Sequence, residues 1–300
     1  MNEFWKEQII EGLKKRYPER VILPETITGN NDTKKEGVIV RKPEAEVAPV
    51  IYLEDSIDRL IAGEELEAIL DELVALIDQD VNLSAGNFFD FEKVKEKIFF
   101  RVINAGKNEE LLKSVPYRKF LDLAVTFRVV CMVNDNVKGS TIINYRTLHQ
   151  WGISEDELYE IAYNNTFSQP LNAVPISEII KNKLCDSEAD IPQDVDKLLP
   201  IYVFGHNSDS GAACILQKDL LRKLAQKHQK DLIVLPSSIH EIMVVAKERE
   251  CPVSVFRDMI RGVNHSVAPV SDVLSDHVYL YNREKDELMD LCVQVDKLQS

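Results

Sequence analysis

Apolar positions along this chain recur with two different periods, and together they predict an α+β protein. Helical spacing runs from Phe4 to Tyr17, where Pro18 ends the first predicted helix. A second amphipathic helix is predicted over residues 64–79, with acidic residues on its outer side. Its buried stripe is Leu66, Ile69, Leu70, Leu73 and Ile77. Further helices are predicted over residues 91–104, after a capping box at Ser154, around residues 220–224 and over residues 253–263.

The clearest strand pattern lies between residues 121 and 133, where every second residue is apolar. A hairpin is predicted from strands 21–23 and 37–40, with a third short strand at 50–53. Later strands are predicted at 199–204, 212–216, 231–235 and 242–246, followed by a last hairpin of 278–282 with 287–291. Because short polar turns join most of these strands, we expect mainly antiparallel β-hairpins packed against helices.

A small, polar segment that ends at Pro116 interrupts these patterns at residues 105–116. With 300 residues, the chain is long enough for two ordinary lobes. The sequence therefore predicts an N-terminal lobe of residues 1–110, made of helix, hairpin and acidic helix. A C-terminal hairpin–helix lobe is predicted over residues 111–300.

The net charge of the chain limits the kinds of partner that it is expected to bind. The chain has 36 basic and 50 acidic residues, a net charge of −14, and eleven acidic residues with one arginine fall between positions 51 and 90. An acidic surface repels phosphate backbones, so no nucleic-acid binding is expected. The acidic helix at 64–79 could instead present a face to a basic protein partner. Exposed edge strands also make a homodimer a reasonable expectation.

Cysteine usage and hydropathy predict a cytoplasmic protein. The five cysteines are an odd number and include no Cys-x-x-Cys pair, which argues against disulfides and against a cysteine zinc site. The N-terminus has neither a basic leader with an apolar run nor a lipidation signal, and no window has the roughly 20 apolar residues that a membrane span needs. No P-loop and no Gly-x-Gly-x-x-Gly run is present, so no cofactor is expected.

Two polar turns gather most of the side chains that could carry chemistry. The candidate catalytic residues are His206, Asp209, Ser210, Ser238, His240 and Glu241. In a hydrolase, Ser210 or Ser238 would be the nucleophile and His240 or His206 the base. Asp209 or Glu241 would then orient that base. The chain has no Gly-x-Ser-x-Gly elbow, and these residue types are also ordinary turn formers.

Two other kinds of site receive less support. His206, Asp209 and His240 could approach one another as metal ligands. However, Val244 stands where a His-Glu-x-x-His motif needs its second histidine, so no metal is expected. Cys251 precedes Pro252 at the start of a predicted helix, where the helix dipole would lower its thiol pKa. A half-buried, unreactive thiol is the simpler interpretation of that residue.

Three segments carry a resemblance to a known family: residues 116–125, residues 235–241 and residues 273–282. In these segments the chain resembles a domain-of-unknown-function family of Gram-positive anaerobic bacteria, over most of its length. Through Trp151 and the helix after it, the chain is also similar, more distantly, to another unassigned bacterial family. The resemblance implies a bacterial, intracellular protein and supplies no activity, cofactor or catalytic residue.

The leading hypothesis is therefore a non-catalytic binding or regulatory protein of the cytoplasm. Its rival is a hydrolase or small-molecule enzyme that uses the loops at residues 206–210 and 237–241, which must then converge on one pocket. A toxin–antitoxin or phage-defence component is a third class, for which the sequence has no specific feature.

Overall fold

The computed structural model describes residues 2–43, 50–78, 88–134, 137–168, 171–175, 201–206, 211–248, 252–266 and 268–292. Cys185, Cys251, Asp209 and Ser210 lie outside the described residues, and of His206 only the backbone is described. Every strand pairing among the described residues is antiparallel. The predicted α+β class is therefore confirmed.

The N-terminal part combines three helices with a three-stranded sheet. Its elements, in chain order, are α1 (Asn2–Arg16), β1 (Val21–Thr28), β2 (Lys34–Arg41), β3 (Val50–Tyr52), α2 (Glu54–Ile61) and α3 (Leu66–Asp78). The sheet has the order β1-β2-β3, and helix α2 is an element that the sequence did not predict. Ile69, Leu70 and Leu73 of α3 are buried, as the apolar stripe predicts, in one core with residues of α1, α2 and β2.

A second sheet is built around the long strand β6. Its strands are β4 (Ile98–Asn104), β5 (Arg118–Phe120), β6 (Leu123–Asn134) and β7 (Val137–Ile142). Strand β4 pairs with one edge of β6, while β5 and β7 pair with the other edge, one after the other. The helices near this sheet are α4 (Phe91–Val94), α5 (Glu109–Leu112), α6 (Tyr145–Trp151) and α7 (Glu155–Ser168). The Ser154 Oγ accepts the Glu157 N–H at 3.1 Å at the start of α7, which confirms the serine half of the predicted capping box.

The third sheet has six strands in the order β13-β12-β10-β11-β9-β8. Its strands are β8 (Leu171–Pro175), β9 (Ile201–His206), β10 (Leu232–Leu235), β11 (Glu241–Ala246), β12 (Tyr279–Asn282) and β13 (Glu287–Asp290), with helices α8 (Lys218–His228) and α9 (Val253–Ser266). Central strand β10 is buried on both faces: Leu232 and Val234 join the largest core, whereas Ile233 and Leu235 pack in the core that includes residues of α9.

Two predicted elements are wrong. Residues 91–104 were expected to be one helix, but the helix ends at Val94 and residues 98–104 form strand β4. Its alternate residues Ile98, Phe100 and Val102 enter the largest core, as expected for a strand once it is paired. Residues 212–216 were expected to be a strand and instead form a 3₁₀ helix, Gly211–Leu216. An apolar run that is buried on all sides has no periodicity with which to tell these structures apart.

The two largest apolar cores draw on separate parts of the chain. One contains buried residues from Ile9 to Leu73, and the other contains buried residues from Phe88 to Tyr281. Strand β4 lies before residue 110 and pairs with β6, which lies after it. The division into lobes near residue 110 stays a prediction.

A polar junction connects the tip of the β1–β2 hairpin to distant parts of the chain. Asn31 at this tip has a left-handed backbone (φ 57°), a conformation that asparagine tolerates. Its N–H donates to the Oδ1 of fully buried Asn108 at 2.7 Å. Its side-chain amide donates to the carbonyls of Val270 and Val273, at 2.6 and 2.8 Å. The hairpin tip is thus held by the segment that leads into β12.

Candidate functional site

The described ends of the 206–210 loop lie next to the turn at residues 237–241. Glu241 is the first residue of β11 and lies opposite Gly205 of β9. A Cβ atom at Gly211 would overlap the carbonyl oxygen of His240, so only glycine fits there. Both described ends of the 206–210 loop therefore lie against the backbone of His240.

The described side chains of residues 238–241 belong to an ordinary turn. Ser238 Oγ accepts the backbone N–H of His240 at 3.1 Å, the pattern of a serine that stabilises its own turn. The His240 imidazole is exposed, and its Nε2 lies 3.5 Å from an Asp272 carboxylate oxygen. Glu241 is exposed at the edge of this turn. The catalytic roles of these residues, and of His206, Asp209 and Ser210, stay predictions.

A denser polar arrangement, which the sequence analysis missed, lies about the start of β12. We call Asp122, Ser275, His277, Tyr279 and Asp290 the His277 cluster. Asp122 belongs to the turn between β5 and β6, Ser275 and His277 precede β12, Tyr279 begins it, and Asp290 ends β13. The signal available in the sequence was the alternation of Ser275, His277 and Tyr279, which places their side chains on one side of an extended segment.

Asp122 is the central acceptor of this cluster. Its Oδ2 accepts the Ser275 hydroxyl at 2.7 Å and lies 3.4 Å from the Asn104 amide nitrogen, and its Oδ1 accepts the Tyr279 hydroxyl. Ser275 Oγ also accepts the N–H of His277 at 2.9 Å. Burial, followed by the nearby Asp122 charge, raises the pKa of the Tyr279 phenol well above its usual value. Tyr279 therefore remains a neutral donor to Asp122.

Asp290 and Asp122 share the His277 imidazole. His277 Nδ1 lies 2.7 Å from Asp290 Oδ2 and 3.7 Å from Asp122 Oδ2. The Asp290 side chain is only 6% exposed, whereas that of His277 is 36% exposed. Asp290 Oδ1 accepts the Cys292 N–H at 2.8 Å, and ligand atoms of His277, Asp290 and Cys292 all lie within 4.8 Å of one another. These three side chains could hold a metal ion.

An exposed group of tyrosines runs along a different surface, from β5 to α7. We call Tyr117, Arg118, Tyr145, Tyr159 and Tyr163 the aromatic band. The Arg118 guanidinium carbon lies 3.9 Å above the centre of the Tyr159 ring, which stacks at 6.3 Å on Tyr163. Tyr117, Tyr145 and Tyr163 are each about two-fifths exposed (38, 42 and 40%). Partial burial, followed by the Glu155 charge and by Tyr117, raises the pKa of Tyr145.

The acidic segment at residues 64–78, which includes helix α3, forms ion pairs within the protein. Its acidic side chains face arginines of the neighbouring chain segments. The ion pairs are Arg16 with Glu67 and Asp71 (2.6 and 2.8 Å), Arg59 with Glu64 and Glu72 (2.6 and 2.7 Å), and Arg20 with Asp78 (3.2 Å). Three arginines thus offset part of the charge of these five carboxylates, which the sequence suggested for a partner.

Comparison with known proteins decides the family. A family model described as "Family of unknown function (DUF5688)" matches residues 1–283. The chain belongs to this DUF5688 family. Asp290 and Cys292 lie beyond the matched residues, whereas Asp122, His277 and the aromatic band lie within them. No curated protein and no solved structure matches the chain. Among the described residues, no helix is both long and apolar enough to span a membrane.

Proposed function

We propose that this DUF5688 protein is a non-catalytic binding protein of the bacterial cytoplasm that docks a basic protein partner on its aromatic band. The observation that carries the proposal is the stacking of Arg118 on Tyr159 and of Tyr159 on exposed Tyr163, with Tyr117 and Tyr145 also exposed. Tyrosine and arginine are the residue types most enriched at protein–protein interfaces, because they bury large areas with little loss of side-chain entropy. Packing on the sheet below holds the band in place, since Tyr159 contacts Phe100 of β4 at 5.0 Å between ring centres.

The charge around the band favours a basic partner. Helix α7 opens with Glu155, Asp156 and Glu157, and Arg118 pairs with Asp156. A groove of about 370 Å³ on the other side of this helix is lined in part by three glutamates, Glu92, Glu96 and Glu157. Its one lysine, Lys95, pairs with Glu92 at 2.6 Å. Lysine or arginine side chains of a partner would complement these remaining carboxylates.

A peptide selection with matched variants tests the proposal. Random peptides displayed on phage would be selected on the purified full chain, and the affinity of the enriched peptides measured by fluorescence anisotropy. We expect enriched peptides to combine Lys or Arg with apolar residues and to bind Tyr163→Ala at least about tenfold more weakly. The control is Tyr52→Ala, because Tyr52 is 49% exposed and also has a lysine, Lys35, over its ring at 5.3 Å.

Three results of the peptide selection would overturn this function. They are a failure of any peptide to enrich, enriched peptides without basic residues, and equal binding by wild type and Tyr163→Ala. Turnover of ester, phosphate or peptide substrates that is lost in Ser238→Ala or His240→Ala would also overturn it.

A hydrolase remains the second candidate because the ends of the 206–210 loop lie against His240. In this alternative, Ser210 or Ser238 attacks the substrate and His240 or His206 accepts the proton. A fluorophosphonate probe tests it directly. Labelling that disappears in Ser210→Ala or Ser238→Ala would support the hydrolase, and an unlabelled protein would exclude this serine mechanism.

A further inference from the structure

We propose that the protein binds one divalent transition-metal ion, with the chemistry of zinc, between His277, Asp290 and Cys292. The inference is independent of the proposed partner, because the ligand set and the aromatic band share no residue. It starts from the combination of an imidazole, a carboxylate and a thiol whose donor atoms lie close together, with a second carboxylate, Asp122, beside the imidazole.

The spacing of the donor atoms is close to that of a metal site. The ligand atoms of His277, Asp290 and Cys292 lie within 4.8 Å of one another, and Asp122 Oδ2 lies 3.7 Å from His277 Nδ1. In a tetrahedral zinc site with bonds of 2.0–2.3 Å, neighbouring ligands are about 3.5 Å apart. His277 Nδ1 and Asp290 Oδ2 are 2.7 Å apart, so their direct hydrogen bond would open to admit the ion.

Unbalanced charge favours a cation at this position. Two carboxylates, Asp122 and Asp290, lie within 4 Å of the imidazole nitrogen of His277. Within the described part of the chain, His277 is the one side chain of basic type that ion-pairs with either carboxylate. Even a protonated imidazole would leave the group with a net negative charge, and Asp290 is almost fully buried, where such charge is costly.

The surrounding hydrogen bonds fix the positions of the Asp122 and Asp290 carboxylates. Ser275 and Tyr279 donate to Asp122, and the Cys292 N–H donates to Asp290. Such outer contacts orient metal ligands and tune their basicity. On binding, the Cys292 thiol would lose its proton, and the His277 tautomer without hydrogen on Nδ1 would coordinate the ion. A thiolate with an imidazole selects zinc or cobalt over magnesium and calcium, which prefer oxygen ligands alone.

Cobalt titration of the full chain tests the site. The protein would be treated with a chelator, dialysed, and titrated with Co²⁺, which reports a thiolate ligand by a near-ultraviolet charge-transfer band. Zn²⁺ would then be titrated by calorimetry. We expect one equivalent of each ion, loss of the Co²⁺ band in Cys292→Ser, and Zn²⁺ affinity at least about tenfold weaker in Cys292→Ser and His277→Gln.

Cys214→Ala is the matched control, because that thiol is fully buried and its Sγ lies 3.7 Å from the Phe204 carbonyl, away from the cluster. The control should keep both the band and the affinity. Circular dichroism of each variant would establish that it is folded. The proposal is overturned by no stoichiometric binding of Zn²⁺ or Co²⁺, or by binding that folded Cys292→Ser and His277→Gln retain unchanged.

Discussion

Helix α3 and the His277 cluster both concentrate carboxylates, but they differ in what faces those carboxylates. Along α3, exposed acidic residues meet the permanently charged Arg16, Arg20 and Arg59, and solvent screens the charge that remains. In the His277 cluster, two carboxylates that are far apart in sequence share a single imidazole. In the described part of the chain, carboxylates that lack an arginine or lysine partner therefore meet in the His277 cluster, away from the densest run of acidic residues in the sequence. The four predictions below test how far the two regions differ.

The largest effect is expected from the apolar side of α3, because burial and not charge holds this helix in place. Leu70 is 1% exposed, and its side chain contacts Gly12 of α1 so closely that a Cβ there would clash. Leu70→Ala should lower the free energy of unfolding by about 3 kcal/mol, measured by urea denaturation. The control is Leu76→Ala on the same helix, which is 43% exposed and should cost less than about 1 kcal/mol. Equal losses in the two variants would contradict this account.

A smaller but distinct loss is expected when Asp122 is removed from the His277 cluster. Asp122→Ala leaves the buried hydroxyls of Ser275 and Tyr279 without their acceptor. We expect a loss of about 2 kcal/mol in the free energy of unfolding, since each unpaired buried group costs about 1–3 kcal/mol and relief of repulsion from Asp290 offsets part of that cost. Asp122→Asn keeps one acceptor oxygen and should lose less. A result in which both variants are as stable as wild type would mean that these hydroxyls find other partners.

Tyr281, in the same sheet as His277's neighbour Tyr279, donates its hydroxyl to the carboxylate of Asp286. Burial and then the hydrogen bond to Asp286 raise the pKa of Tyr281 to about 12. The stability that depends on the neutral phenol is therefore complete below pH 10, the usual tyrosine value, and is lost as the pH rises through about 12. Tyr281→Phe should cost about 1 kcal/mol at neutral pH. Its deficit relative to wild type should shrink between pH 10 and 12, as followed by urea denaturation. A deficit independent of pH would show that Tyr281 ionises normally.

The smallest effect is expected from the ion pairs of α3. Asp71→Ala removes an exposed partner of Arg16 and should change the free energy of unfolding by about 0.5 kcal/mol or less. The difference from wild type should vanish in 1 M salt, where exposed charges are screened. A loss comparable to that of Asp122→Ala would remove the distinction between the two regions.

The fold was predictable from the sequence where periodicity is strong and local. The amphipathic stripe of α3, the alternation of β6 and the last hairpin each appear near the predicted positions. The segments at 98–104 and 212–216 failed because their apolar residues are nearly continuous, and only contact with β6 or β9 distinguishes the possible structures.

The candidate site was much less predictable. Ser238, His240 and Glu241 attracted interest because reactive residue types are adjacent in the chain, which is also how ordinary turns are composed. The His277 cluster joins Asp122 to residues more than 150 positions later, as in the bond from Tyr279 to Asp122 with a separation of 157. Nothing local marks Asp122, which occupies one of the alternate positions of an apolar strand pattern. Only the pairing of the sheets brings it to His277.

The hairpin tip at Asn31 also affects the order in which this chain can fold. The Asn31 side chain contacts Val273 across 242 positions, so this contact closes one of the longest loops in the chain. Non-local contacts of this kind form slowly, because the entropy of loop closure must be overcome before they contribute. The N-terminal core can assemble from neighbouring segments, but its attachment must wait until β12 is in position. During synthesis, the side-chain amide of Asn31 would therefore remain hydrated until residues 270–273 emerge.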